Sequence, residues 1–244
     1  MIRTSWRGPH DAATYPRSVT TTPPALHDLS ALEPLVFDAV LFDMDGTLID
    51  STPSVERSWV TWALEHGVDP NVLHGNHGVP AAQIVAKVLP AERVAAAVAR
   101  ITELEVADVT GIVVLPGAAE ALRALPAGRC AIVTSCTRPL AQARIAASGL
   151  SAPGVVVTAD DVVSGKPDPE PYRLGAQRLG FDPARCLVVE DAPSGLLAGR
   201  LAGAATLAVT TTTPASGLKA DAVVTNLADV RFWVTDHGVR VGRP

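Results

Sequence analysis

The stretch VFDAVLFDMDG, Val36–Gly46, decides the fold. It is a short apolar run, rich in β-branched and aromatic residues, that stops at two acids, Asp43 and Asp45, and a glycine. Apolar residues at consecutive rather than alternating positions suit a strand buried on both faces. Four later stretches repeat the theme: RCAIVTS (Arg129–Ser135), GVVVTADD (Gly154–Asp161), CLVVEDA (Cys186–Ala192) and AATLAV (Ala204–Val209), with AVV (Ala222–Val224) as a last short strand. Helical patterns lie between them, over Gly117–Leu125, Pro139–Ser148 before Gly149, Pro169–Leu179 before Gly180, and Ser194–Ala202 before Gly203. Strands alternating with helices of this length make βαβ units, so the fold class is α/β with a Rossmann-like parallel sheet.

One interval breaks the alternation. Residues 53–115 hold helix-like stretches at Ser54–Glu65, Ala81–Leu89 and Ala91–Asp108 and no convincing buried strand. This predicts an all-helical insertion after the first strand, dividing the core into 36–52 and 116–244. Residues 1–35 mix Thr, Pro, Ser and charge without a sustained period and are read as a disordered leader.

The chain's 244 residues allow one domain with an insertion. A net charge of −5 without a Lys/Arg cluster argues against a nucleic-acid surface. No apolar run approaches the ~20 residues of a membrane span, and the start lacks the layout of a secretory signal. Cys130, Cys136 and Cys186 are too few and scattered for a disulfide framework or a zinc knuckle, and read as buried thiols. A cytoplasmic protein, monomeric or a weak homodimer, fits these features.

In parallel sheets ligands bind at the carboxyl ends of the strands. The polar residues that end the runs are Asp43, Asp45, Gly46 and Thr47; Thr134 and Ser135; Ser164, Gly165, Lys166 and Asp168; and Glu190 and Asp191. These should converge on one crevice. Converging carboxylates without His or Cys suit a hard cation with oxygen ligands, Mg²⁺ first. A metal and Lys166 would offset the repulsion between a carboxylate and a phosphate, so that a carboxylate can attack phosphorus. A second carboxylic acid is then needed to move the proton.

The chain resembles the haloacid dehalogenase-like phosphatases from about Val36 to Val224. The resemblance is carried by Asp43-Met44-Asp45-Gly46-Thr47-Leu48, by Thr134, by Lys166 and by Glu190-Asp191, in the family's order. It implies that Asp43 is the nucleophile and a metal ligand, and that Asp45 is the general acid/base with its backbone carbonyl on the metal. It implies that Thr134 and the Ser135 amide bind phosphoryl oxygens, and that Lys166 neutralises nucleophile and phosphate. Asp191 would ligate Mg²⁺, with Glu190 directly or through water. The acid at Asp45 argues for phosphoryl transfer, because dehalogenases of this superfamily lack it. The insertion at 53–115 resembles a helical cap, which implies a small phosphorylated metabolite as substrate.

Within the superfamily the chain is similar to the glycerol-3-phosphate and 2-deoxyglucose-6-phosphate phosphatases. The shared text includes His77-Gly78, Thr134–Arg138, Gly165–Tyr172 and Glu190–Gly195. That group carries an arginine two residues after the His-Gly, where this chain has Pro80. His77 is a candidate substrate contact, weighed equally against a flexible turn. Trp59 and Trp62 read as cap core first and as substrate-facing second, and Arg138 as a solvated helix-start residue before an aid to phosphate binding. The competing functions are a sugar-phosphate mutase of the β-phosphoglucomutase kind, a phospho-aspartate signalling module, whose motif order differs, and a non-catalytic phosphate-binding protein.

Overall fold

The computed structural model describes residues 25–73 and 79–244. In chain order its strands and α-helices are β1 (Ala39–Phe42), β2 (Ile49–Asp50), α1 (Thr52–His66), α2 (Ala81–Val88), α3 (Ala91–Ala107), β3 (Val113–Val114), α4 (Ala118–Ala124), β4 (Cys130–Val133), α5 (Arg138–Ser148), β5 (Val155–Val157), α6 (Glu170–Leu179), β6 (Cys186–Glu190), α7 (Pro193–Leu201), β7 (Ala205–Val209), β8 (Ala222–Val224), β9 (Arg231–Thr235) and β10 (Gly238–Gly242). Six strands form one parallel sheet in the order β5-β4-β1-β6-β7-β8. The expected α/β architecture is therefore present, and every strand of the sequence reading takes its place in it.

The continuous apolar runs are explained by burial on both faces. Val40 and Phe42 of β1 join one core cluster, with Ile132, Leu187 and Val189 from the flanking strands. Ala39 and Leu41 join the other, with Ala131, Val133 and Val188 and with Tyr172 and Ala176 of α6. Strand β1 pairs with β4 on one side and β6 on the other, and the chain order reverses about it. That reversal opens a crevice at the carboxyl ends of β1, β4 and β6.

The insertion leaves through β2 and returns through β3, which pair antiparallel at Ile49↔Val114 and Asp50↔Val113. Its helices α1, α2 and α3 share a small core of Trp62, Ala63, Val85, Leu89, Ala97 and Ile101. Trp62 is fully buried, and its indole N–H donates to the Ala97 carbonyl at 2.8 Å, satisfying the ring's one polar group while pinning α1 to α3. At the return, Arg57 of α1 grips Asp108 through two nitrogens, at 2.7 and 3.0 Å.

Two expectations need correction. The expected disordered leader, residues 1–35, does not extend to residue 35: Leu29 and Leu32 are buried in the larger core, and the His27 amide donates to the Val223 carbonyl at 2.7 Å. Two leucines three residues apart give no detectable period, yet they suffice to dock the segment. Residues 1–24 lie outside the described residues. The strands expected from the sequence end at Val224, whereas within the core stretch 116–244 β9 and β10 form a further hairpin whose Phe232, Val239 and Val241 complete the core. Phe37 and Val239 form an antiparallel bridge just before β1.

Candidate active site

The end of β1 sets the first group. The Asp43 amide continues the sheet ladder by donating to the Val189 carbonyl at 2.9 Å, which leaves the side chain at the mouth of the crevice. The chain then turns at Gly46, whose φ of +84° a side-chain-bearing residue rarely adopts. A Cβ on Gly46 would also overlap the Asp191 carboxylate. The glycine therefore lets the first-strand turn lie against the acid that follows β6.

Lys166 enters from the loop before α6 and is buried. Its ammonium donates to Asp43 Oδ1 at 2.6 Å, Glu190 Oε1 at 2.7 Å and the Val133 carbonyl at 2.8 Å. These three bonds use all its donors and join the ends of β1, β4 and β6 at one atom. Burial works against the charged ammonium, but Asp43 and Glu190 outweigh it and hold Lys166 above its ordinary range. Burial pushes Asp43 well up; Lys166 opposes this, while Glu190 and Asp191 add to it. Burial, reinforced by Glu190, raises Asp191 to about 7.

Glu190 is anchored by protein groups on both oxygens. Oε1 also accepts from the Tyr172 hydroxyl at 2.8 Å, and Oε2 accepts from the amides of Asp191 and Ala192 at 3.2 and 3.1 Å. The hydroxyls of Thr47 and Thr212 donate to Asp191. Asp43, Glu190 and Asp191 each offer an oxygen within 4.8 Å of the others. Three buried carboxylates with one ammonium among them form an all-oxygen donor set short of positive charge. This fits a hard divalent cation.

Thr134 follows β4. Its amide donates to the Val157 carbonyl at 2.9 Å, and its hydroxyl accepts from the Cys136 amide at 3.1 Å. Ser135 beside it is exposed. Asp43, Asp45, Thr134, Ser135, Lys166, Glu190 and Asp191 all line one cavity of ≈ 410 Å³, which α1, α2 and α3 help to wall through Trp59, Ile84 and Glu105. The sequence-predicted residues are thus brought together, with His77 lying outside the described residues. Trp62 is insertion core as expected, while the partly buried Trp59 reaches the cavity.

The Asp45 carboxylate has neighbours that the sequence reading missed. Its Oδ1 accepts from the Ser51 hydroxyl at 2.6 Å and from Arg144 at 2.9 Å, and its Oδ2 meets the Cys136 thiol at 3.1 Å. Arg144 was detectable in principle, because it shares the buried face of α5 with Leu140 and Ala141. A charge on an apolar stripe calls for a partner. Thr212 gave no signal, since it is one of four consecutive threonines, Thr210–Thr213. Tyr172 stood within a recognised motif but carried no assigned role.

Comparison with known proteins gives the chain its family. The family model described as "haloacid dehalogenase-like hydrolase" matches residues 37–203, and the chain belongs to that family. It is 44% identical over 175 residues to hexitol phosphatase A of Escherichia coli, an alignment covering 69% of this chain and 81% of the relative. It is 34% identical to glycerol-1-phosphate phosphohydrolase 2 of Saccharomyces cerevisiae, covering 81% of this chain and 85% of that one. Among solved structures, CbbY of Rhodobacter sphaeroides in complex with phosphate superposes with a TM-score of 0.67 at 25% identity, covering 79% of this chain and 96% of that one. The expected resemblance is therefore borne out: the protein is a haloacid dehalogenase-like hydrolase with polyol-phosphate phosphatases among its relatives.

Proposed function

We propose that this protein is a Mg²⁺-dependent phosphatase that hydrolyses a small phosphate monoester, a sugar or polyol phosphate, through a phospho-aspartyl intermediate on Asp43. The observation that carries the reading is the Lys166 ammonium joining Asp43 to Glu190 beside Asp191 and Thr134, all facing one cavity. Asp43 attacks phosphorus and the ester oxygen leaves, taking a proton from Asp45; water then attacks the acyl phosphate and returns a proton to Asp45. The Lys166 ammonium offsets the phosphoryl charge from its place beside Asp43, and the Thr134–Ser135 turn holds the phosphoryl oxygens. Asp43 and Asp191 would hold the metal with their carboxylates, Asp45 with its backbone carbonyl and Glu190 through water, its own oxygens being engaged. When bound, Mg²⁺ offsets the negative charge that gathers around the transferring phosphoryl group. The relatives' polyol phosphate substrates and the limited cavity support a small, neutral leaving group. The insertion would act as a cap that excludes water from the crevice.

The test is phosphate release, with and without Mg²⁺, across glycerol, hexitol, hexose, deoxyhexose and pentose phosphates and nucleotides. Magnesium-dependent release with a clear preference for one class is expected. Interconversion of sugar phosphates without release would make the protein a mutase, and inactivity of both kinds would leave a phosphate-binding protein.

A further inference from the structure

Arg144 is the second buried cation of the cavity and belongs to none of the four motifs. It stands on α5, in the core, with its charge turned inward. One terminal nitrogen donates to Asp45 Oδ1 at 2.9 Å and lies 3.2 Å from Cys136 Sγ, while the other donates to Glu105 Oε1 at 3.3 Å. Glu105 lies near the end of α3, in the inserted bundle, and is largely buried. The fork of one guanidinium thus joins the Asp45 carboxylate of the core to a carboxylate of the insertion. Ser51, at the exit into the insertion, donates to the same Asp45 oxygen at 2.6 Å.

We propose that Arg144 is a positioning residue for Asp45, fixing its carboxylate for proton transfer and tying that placement to α3 through Glu105. Arginine suits the task because its planar fork holds two acceptors at fixed angles, which a lysine ammonium does not reproduce. Burial leaves neither Arg144 nor Glu105 another strong partner among the described residues, so the contact between bundle and core is where Asp45 is set. The proposal rests on the phosphatase reading, in which Asp45 protonates the leaving oxygen.

The test uses that role. An alkyl phosphate expels a strongly basic alkoxide and needs the proton; an aryl phosphate expels a stable phenolate and needs it far less. The rate of phospho-enzyme formation in a single turnover is measured for glycerol 1-phosphate, or the panel's fastest alkyl ester, and for para-nitrophenyl phosphate. Arg144→Met is expected to lower the alkyl-to-aryl rate ratio roughly tenfold to a hundredfold. Arg144→Lys is expected to restore part of that ratio, and Glu105→Gln to lower it by a smaller factor. Both rates of one variant come from one preparation, so the ratio does not depend on how much of it is folded. Equal loss on both esters would make Arg144 a packing residue and overturn the proposal. Failure of the wild-type protein to form phospho-enzyme from either ester would instead remove the phosphatase reading, and this inference with it.

Discussion

The Tyr172 hydroxyl donates to Glu190 Oε1 at 2.8 Å, the same oxygen that Lys166 meets at 2.7 Å, and the tyrosine ring lies 4.9 Å from the ammonium. A phenol on the helix after the lysine loop therefore braces both the acid and the base of the buried pair. Tyr172→Phe keeps the ring and removes the bond to a charged acceptor. The expected cost is about 1.5–3 kcal/mol of stability, read by denaturant unfolding, with a fall in turnover of several-fold. Unchanged stability would mean that Glu190 has another donor ready.

Gly195 of α7 faces the same carboxylate from the other side, where a Cβ would overlap Glu190. Glu190 is held by four hydrogen bonds and buried, so it has little freedom to yield. Gly195→Ala is expected to displace it and loosen Lys166, costing about 1–3 kcal/mol and most of the activity. A variant with full turnover and unchanged melting would show that the helix shifts instead.

Asp43→Asn removes the proposed nucleophile but leaves an oxygen able to accept from Lys166. Phosphate release is expected to fall at least about a thousandfold while circular dichroism stays native. Asp45→Asn is expected to slow both proton-dependent steps and to let phospho-enzyme accumulate from an aryl ester. Comparable turnover in folded Asp43→Asn protein would reject the nucleophile assignment.

The acidic cluster makes a pH prediction whose sign follows from the raised values. Asp191, at about 7, and Asp43 hold their protons more tightly folded than unfolded. Their contribution to stability is therefore greatest below the ordinary carboxylate value and is lost as pH rises through about 4 to 7. In a chelator, the melting temperature should fall from about pH 5 to about pH 8, and Asp191→Asn should flatten that slope. Mg²⁺ should raise melting more at the higher pH, because deprotonated ligands bind it. Melting curves that Mg²⁺ leaves unmoved at either pH would remove the metal assignment.

The parallel sheet was legible because a strand buried on both faces, such as Ala39–Phe42, writes an unbroken apolar run. Asp43, Thr134, Glu190 and Asp191 were legible because they stand at or just past the ends of such strands, and Lys166 because its loop follows one. The β9–β10 hairpin was not, since neither strand writes an unbroken apolar run: in β9 Arg231 is exposed beside buried Phe232, and in β10 half-buried Arg240 separates Val239 from Val241. Arg144, Glu105 and Tyr172 escaped notice for a different reason. Their significance lies in which helix faces which, and Arg144 and Asp45 stand 99 positions apart.

Seen from the sheet, the whole excursion between Asp50 and Val113 is one hairpin turn, because its two ends are paired neighbours. The three helices bring their own small core, and no strand of the parallel sheet depends on them for register. Such an attachment is modular: the bundle can be lengthened, recarved or exchanged for another while the strand ends keep their places. Under the proposed function, selection can revise what the enzyme accepts on one piece of chain and inherit its chemistry intact on another. An incoming piece inherits two contacts of α3 with the core, the pair that Glu105 makes with Arg144 and the packing of Val106 against the main cluster.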